Sequence, residues 1–144
     1  MKIENQVCTV EQAKRLSELG IKMNSFLYWK KSCLIKNIDK WIIINSEDSN
    51  INEKEDYSAY SVSELDSMLP STIDDIKLTQ WKIQDNNFGI QYRYMMEEPI
   101  KYKTFPDRSI FADTEAKVRA ELLILIIENK YVTAEECNTR LLNS

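Results

Sequence analysis

Apolar residues Val10, Ala13, Leu16 and Leu19 recur at three-residue spacing, which marks one face of a helix. Thr9-Val10-Glu11-Gln12 has the form of a capping box, in which the Thr9 hydroxyl accepts from the backbone at Gln12 and the Gln12 side chain reaches back. Gly20 follows the last apolar position as a left-handed stop. The pattern then changes. Phe26-Leu27-Tyr28-Trp29 and Trp41-Ile42-Ile43-Ile44 are rich in the aromatic and β-branched residues that fit a pleated surface, so both read as strands. Asn37-Ile38-Asp39 supplies turn chemistry between them, which predicts an antiparallel hairpin. From Asn45 to Asp56 the chain is polar, with Glu47, Asp48, Glu53, Glu55 and Asp56 against the single base Lys54, and reads as a surface loop.

A second capping box, Ser61-Val62-Ser63-Glu64, opens a short helix that Pro70 ends. Ile76 to Gln84 reads as a strand, with Trp81 and Ile83 on one face and Lys82 and Gln84 on the other, and Asp85-Asn86-Asn87 as its turn. Phe88, Ile90, Tyr92 and Tyr94 then occupy every second position, with Gly89, Gln91 and Arg93 between them. This is a period-two strand closing a second hairpin. Pro99 and Pro106 predict a loop. Asp113 stands as the N-cap of a helix over Thr114 to Lys130, whose second half, Leu122 to Ile127, is apolar most of the way round and must be buried on several sides. Thr133-Ala134-Glu135-Glu136 starts a short terminal helix.

The order of elements lacks regular strand-helix-strand alternation and therefore implies an α+β fold in one domain, 1-144. The expected architecture is one antiparallel sheet made from both hairpins. The Thr114 helix would lie across its Phe88, Ile90, Tyr92 and Tyr94 face, with Gln91 and Arg93 on the polar face and short helices at the flanks.

Composition narrows the chemistry. The 144 residues contain no histidine, two glycines (Gly20 and Gly89) and three prolines. A Ser-His-Asp triad, a Cys-His pair and an imidazole-ligated zinc are thereby excluded, and so are the P-loop and the dinucleotide-binding glycine fingerprint. Cys8, Cys33 and Cys137 are scattered without C-x-x-C spacing, so they read as reduced thiols rather than a disulfide framework or metal cluster. The N-terminus lacks the apolar stretch of a secretory signal, and the longest apolar run, Leu122 to Ile127, is far shorter than a membrane span. A cytoplasmic chain is expected.

Adjacent acids at Asp74-Asp75, Glu97-Glu98 and Glu135-Glu136 could in principle split acid and base roles. Adjacency argues against it, because neighbours in a strand point to opposite faces and a helix N-terminus favours carboxylates anyway. No calcium-loop string is present, and neither a metal nor a cofactor is expected. Arg93, flanked by Tyr92 and Tyr94 and sharing the polar face with Gln91, could present a planar cationic fork to an anion. Trp29, Trp41 and Trp81 could form a stacking platform. Arg93, Gln91, Trp29 and Trp81 are therefore the candidate ligand residues. An ordinary half-exposed sheet would hold such an arginine, and core burial would account for each tryptophan. A net charge of -4, from 19 Lys+Arg against 23 Asp+Glu, disfavours nucleic acid as a partner and is too balanced for a phosphate mimic.

Three blocks, Thr9 to Ile21 with Phe26-Leu27-Tyr28-Trp29, then Tyr57 to Leu65 with Met68-Leu69-Pro70, then Thr114 to Ile124, resemble a family of small uncharacterised proteins of bacteriophages and prophages of anaerobic gut bacteria. The resemblance implies a mobile-element origin and a cytoplasmic life in the host, and it carries over no catalytic residue. The expected function is non-catalytic: a protein-protein interaction module whose partner is a host or phage protein. The alternative is a small-ligand or nucleotide binder using aromatic residues and Arg93. One uncovered helix face or sheet edge would suffice for a homodimer.

Overall fold

The computed structural model describes residues 2–31, 40–47, 51–52, 55–73, 76–83, 87–96 and 101–144, without the strand side chains at 81, 83, 87, 91–96 and 101–109. The turn expected at Asn37-Ile38-Asp39, most of that at Asp85-Asn86-Asn87, the pairs Asp74-Asp75 and Glu97-Glu98, and Cys33 lie outside the described residues.

After a 3-10 turn at Ile3–Asn5, helix α1 spans Val10–Glu18 under the complete Thr9/Gln12 capping box. Gly20, at φ +105°, ends it: its N–H donates to the Ser17 carbonyl at 3.1 Å and that of Ile21 to the Leu16 carbonyl at 2.9 Å. Strands β1 (Leu27–Lys31) and β2 (Trp41–Asn45) pair antiparallel, and β3 (Tyr57–Ser58) takes the other side of β1. Helix α2 (Val62–Met68) carries the second complete capping box and stops before Pro70. A second sheet follows, formed by β4 (Thr72–Ile73), β5 (Ile76–Ile83), β6 (Asn87–Met96) and β7 (Lys101–Ala112) in sequential antiparallel order. Helices α3 (Glu115–Glu128) and α4 (Ala134–Leu142) complete the chain.

The class is α+β, as the element order implies. The single sheet is corrected to two, ordered β2-β1-β3 and β4-β5-β6-β7. The inner edge of each hairpin is occupied: β3 flanks β1 and β4 flanks β5.

The loop expected around Pro106 is also corrected, because β7 runs straight through it. β7 is an edge strand, and the register slips between Ile90↔Ile110 and Tyr92↔Phe105, leaving Gln91 on β6 against 106–109 on β7. Proline's missing N–H is tolerated in such a bulge because no ladder bond is needed there.

At α3 the cap is Thr114, not Asp113. The Thr114 hydroxyl accepts from the Lys117 N–H at 3.2 Å, while Asp113 pairs with Lys117 Nζ at 2.9 Å. That ion pair holds the Asp113 carboxyl below the usual carboxylate range. The all-round burial expected of this helix is present: Leu122, Leu123, Ile124, Ile126 and Ile127 are buried, and α3 packs on α1, α2, β6 and β7. Beneath it Ile90 is fully buried and Phe88 partly so, while Tyr92 and Tyr94, expected on the same face, have side chains outside the described ones. The buried residues form one contiguous cluster that runs from Val7 to Cys137 and includes Trp29.

The C-terminus of α3 closes with the same pair of bonds as α1, Lys130 N–H to Ile127 O and Tyr131 N–H to Ile126 O, each at 3.0 Å. Here the left-handed position, φ 62°, is filled by Lys130 instead of glycine. Relieving its Cβ strain with Lys130→Gly is expected to raise stability by about 1 kcal/mol. Chemical denaturation would show this as a higher midpoint with an unchanged slope.

Candidate functional site

Of the four candidate ligand residues, Trp29 stands on one sheet and Trp81, Gln91 and Arg93 on the other. Trp29 is a core residue on β1, 8% exposed, and its indole N–H donates to the Cys8 carbonyl at 2.9 Å. Trp81, Gln91 and Arg93 belong to the other sheet, where every second register pair is Trp81↔Gly89, Thr79↔Gln91 and Lys77↔Arg93. These alternate with Gln80↔Ile90, the row that α3 covers, so the backbone sets the three on rows of the same parity; their side chains lie outside the description. Trp41 has its own partners: the Tyr57 ring lies 5.9 Å away, and Lys14 Nζ sits 4.8 Å from the Trp41 ring centroid. That geometry is an intramolecular cation–π contact, with the cation supplied by α1.

Asp56 departs most from its sequence pattern. The polar run around it reads as a surface loop, yet its side chain is 3% exposed. One carboxylate oxygen accepts from the Asn52 N–H at 2.8 Å and lies 3.7 Å from Lys30 Nζ, while the Asp56 N–H donates to the Asn52 carbonyl at 2.8 Å. This reciprocal pair locks a turn against β1 and explains the burial. Asp56, Tyr28, Tyr57, Ser58 and Met23 line a cavity of about 230 Å³, below the usual size for a metabolite site. The Tyr60 hydroxyl, also at its wall, donates to the Met23 carbonyl, and burial raises its pKa above the ordinary phenol value.

Burial also pushes the Cys8 thiol up to about 12 and that of Cys137 to about 11. A thiol held neutral is a poor nucleophile and metal ligand. Among the described residues no group of three His, Cys, Asp or Glu is placed to hold a metal ion, and no helix is long and apolar enough to cross a membrane.

A larger groove of about 640 Å³ lies where the N-terminal segment, β1, the second sheet and the starts of α2 and α3 meet. The N-terminal segment is held there by the bridge Val7↔Ser61 and by the Cys8 N–H donating to the Tyr60 carbonyl at 2.9 Å. Leu27, Val62 and Phe88 supply apolar surface over a floor that includes the fully buried Val7, and the exposed Gln6, Lys82 and Asp113 supply polar surface. The carboxylates beside it are fixed, Asp113 by Lys117 and Glu115 by Arg119 at 3.2 Å. Sequence reasoning missed this groove because its wall is assembled from the ends of several elements, none with a pattern of its own.

Compared with protein-family models, curated proteins and solved structures, the chain matches none. The phage-type resemblance stands on the three sequence blocks alone.

Proposed function

We propose that this chain is a non-catalytic binding module of phage or prophage type, acting in the cytoplasm by docking onto a host or phage protein. The observation that carries the reading is the groove of about 640 Å³, apolar at Leu27, Val62 and Phe88 and bordered by anchored charges. An apolar centre with a polar margin is the usual anatomy of a surface that takes an anchoring side chain from another protein. The small-ligand reading keeps Trp81, Gln91 and Arg93 on rows of one parity but loses Trp29 to the core, so less supports it.

Ser63 lines the groove and is exposed, which makes it a suitable position for a photo-activated cross-linker. Irradiation in host lysate is expected to give one discrete adduct that untagged wild-type protein competes away and that Val62→Arg, verified as folded, does not form. A ladder of adducts, or an adduct indifferent to Val62→Arg, would overturn the proposal.

A further inference from the structure

Each sheet has two edges, and three of these four edge strands carry features that discourage pairing with another chain. β3 and β4 are two residues long. β7 is interrupted by the bulge at 106–109, contains Pro106, and bears Lys101, Lys103, Asp107 and Arg108. Short length, bulges, proline and charge are the means by which natural edges avoid augmentation. β2 has none of them: Trp41-Ile42-Ile43-Ile44-Asn45 is five residues, uncharged and free of proline. Among the described residues, no strand pairs with its outer side.

The ladder fixes which backbone groups face outward. The Ser46 N–H donates to the Phe26 carbonyl at 2.9 Å, so 26/46 is a hydrogen-bonded pair. By antiparallel alternation Tyr28↔Ile44 and Lys30↔Ile42 are hydrogen-bonded pairs as well. Trp41, Ile43 and Asn45 therefore aim their N–H and C=O groups away from β1, centred on Ile43.

We infer that β2 pairs antiparallel with β2 of a second copy of this chain about a twofold axis at Ile43, joining two three-stranded sheets into one. In that register Ile43 meets its own counterpart, Trp41 meets Asn45, and about six main-chain hydrogen bonds form. Ile42 meets Ile44 on the face away from Trp41 and Ile43, so the apolar side chains also repeat symmetrically. The exposed Lys40 at one end falls beside Ser46 and Glu47 of the second copy, and the same contact recurs at the other end. A strand whose apolar, hydrogen-bonding and charged positions all match their own reversal is what an isologous dimer requires. The groove of the proposed docking function uses Leu27 on the far side of β1 and no residue of β2, so the two proposals stand or fall separately.

Sedimentation equilibrium of the full chain from about 1 to about 500 µM, with amide exchange measured at both ends of that range, tests the pairing, because assembly follows mass action. The expected result is a dimer at high concentration, with several-fold slower exchange at Trp41, Ile43 and Asn45 and no change at Ile42 and Ile44, already bonded to β1. Ile42→Lys, at a residue 37% exposed, is expected to remain monomeric with little change in melting temperature. A wild-type chain that stays monomeric throughout, a dimer without slowing at those three amides, or a dimer undiminished in folded Ile42→Lys would overturn the inference. If Ile42→Lys does not fold, the wild-type amide pattern decides alone.

Discussion

Leu122→Ala is expected to lower the stability of the fold by about 2–5 kcal/mol, the range for deleting a buried leucine side chain where the surroundings relax only in part. Leu122 is fully buried at the middle of α3, a helix packed by α1 and α2 and by the second sheet through β6 and β7. With close-packed neighbours on opposite sides, none can move into the vacated space without leaving another contact. Leu125, one turn along and only partly buried against the same core, is the internal comparison. Leu125→Ala is expected to lose less, since part of its methyl surface is already in water. Urea denaturation measures both: the midpoint for Leu122→Ala falls well below that for Leu125→Ala, with slopes unchanged. A loss under about 1 kcal/mol at Leu122 would mean that α3 is not the centre of the core.

What could be read from the sequence divides along the reach of each interaction. The α1 start at Thr9 and Gln12, the α2 start at Ser61 and Glu64, and the stop at Gly20 are bonds between residues three to five apart. A linear pattern records such contacts directly. The existence of β6 was equally legible, because the alternation from Phe88 to Tyr94 has the period of a strand without reference to any partner. The cap of α3 is ambiguous for a local reason: Asp113 and Thr114 both have capping side chains, and Lys117 three residues after Thr114 cannot close a capping box that would distinguish them.

The division of strands between sheets has no such record. It turns on β3 and β4, which at two residues each are too short to show a period, and on which neighbour occupies each hairpin edge. In β7 a faint signal exists, Lys101 and Lys103 alternating with Tyr102 and Thr104, but Pro99 and Pro106 outweigh it. Only the edge position and the bulge show why a proline is accommodated there. Asp56 is buried because Asn52 folds back onto it, and the groove exists because Val7, Leu27, Val62 and Phe88 come from four separate segments. Neither fact has a sequence period to announce it.

Alkaline solution is expected to unfold the protein through its buried acids. Burial raises the Cys8 thiol from its ordinary value of 9.0 to about 12 and the Cys137 thiol to about 11, and it raises Tyr60, whose hydroxyl must keep its proton to donate to the Met23 carbonyl. In the unfolded chain the same groups ionise near their ordinary values. The native state therefore holds more protons than the unfolded state once the pH passes about 9, and stability falls with further rise. The stabilisation is complete below the unfolded thiol value and is lost progressively toward the folded ones. Each pKa difference of one unit corresponds to about 1.4 kcal/mol, so the three groups together withdraw about 6 kcal/mol by pH 11, comparable to the whole stability of a marginally stable domain. Urea midpoints at pH 7, 9, 10 and 11 are expected to stay level to about pH 9 and then drop steeply. Cys8→Ala begins with a lower midpoint, because it leaves a small void, but declines less steeply, so its deficit relative to wild type narrows as the pH rises. A flat wild-type profile to pH 11, or a Cys8→Ala profile parallel to the wild type, would show that ionisation of these groups does not govern the alkaline limit.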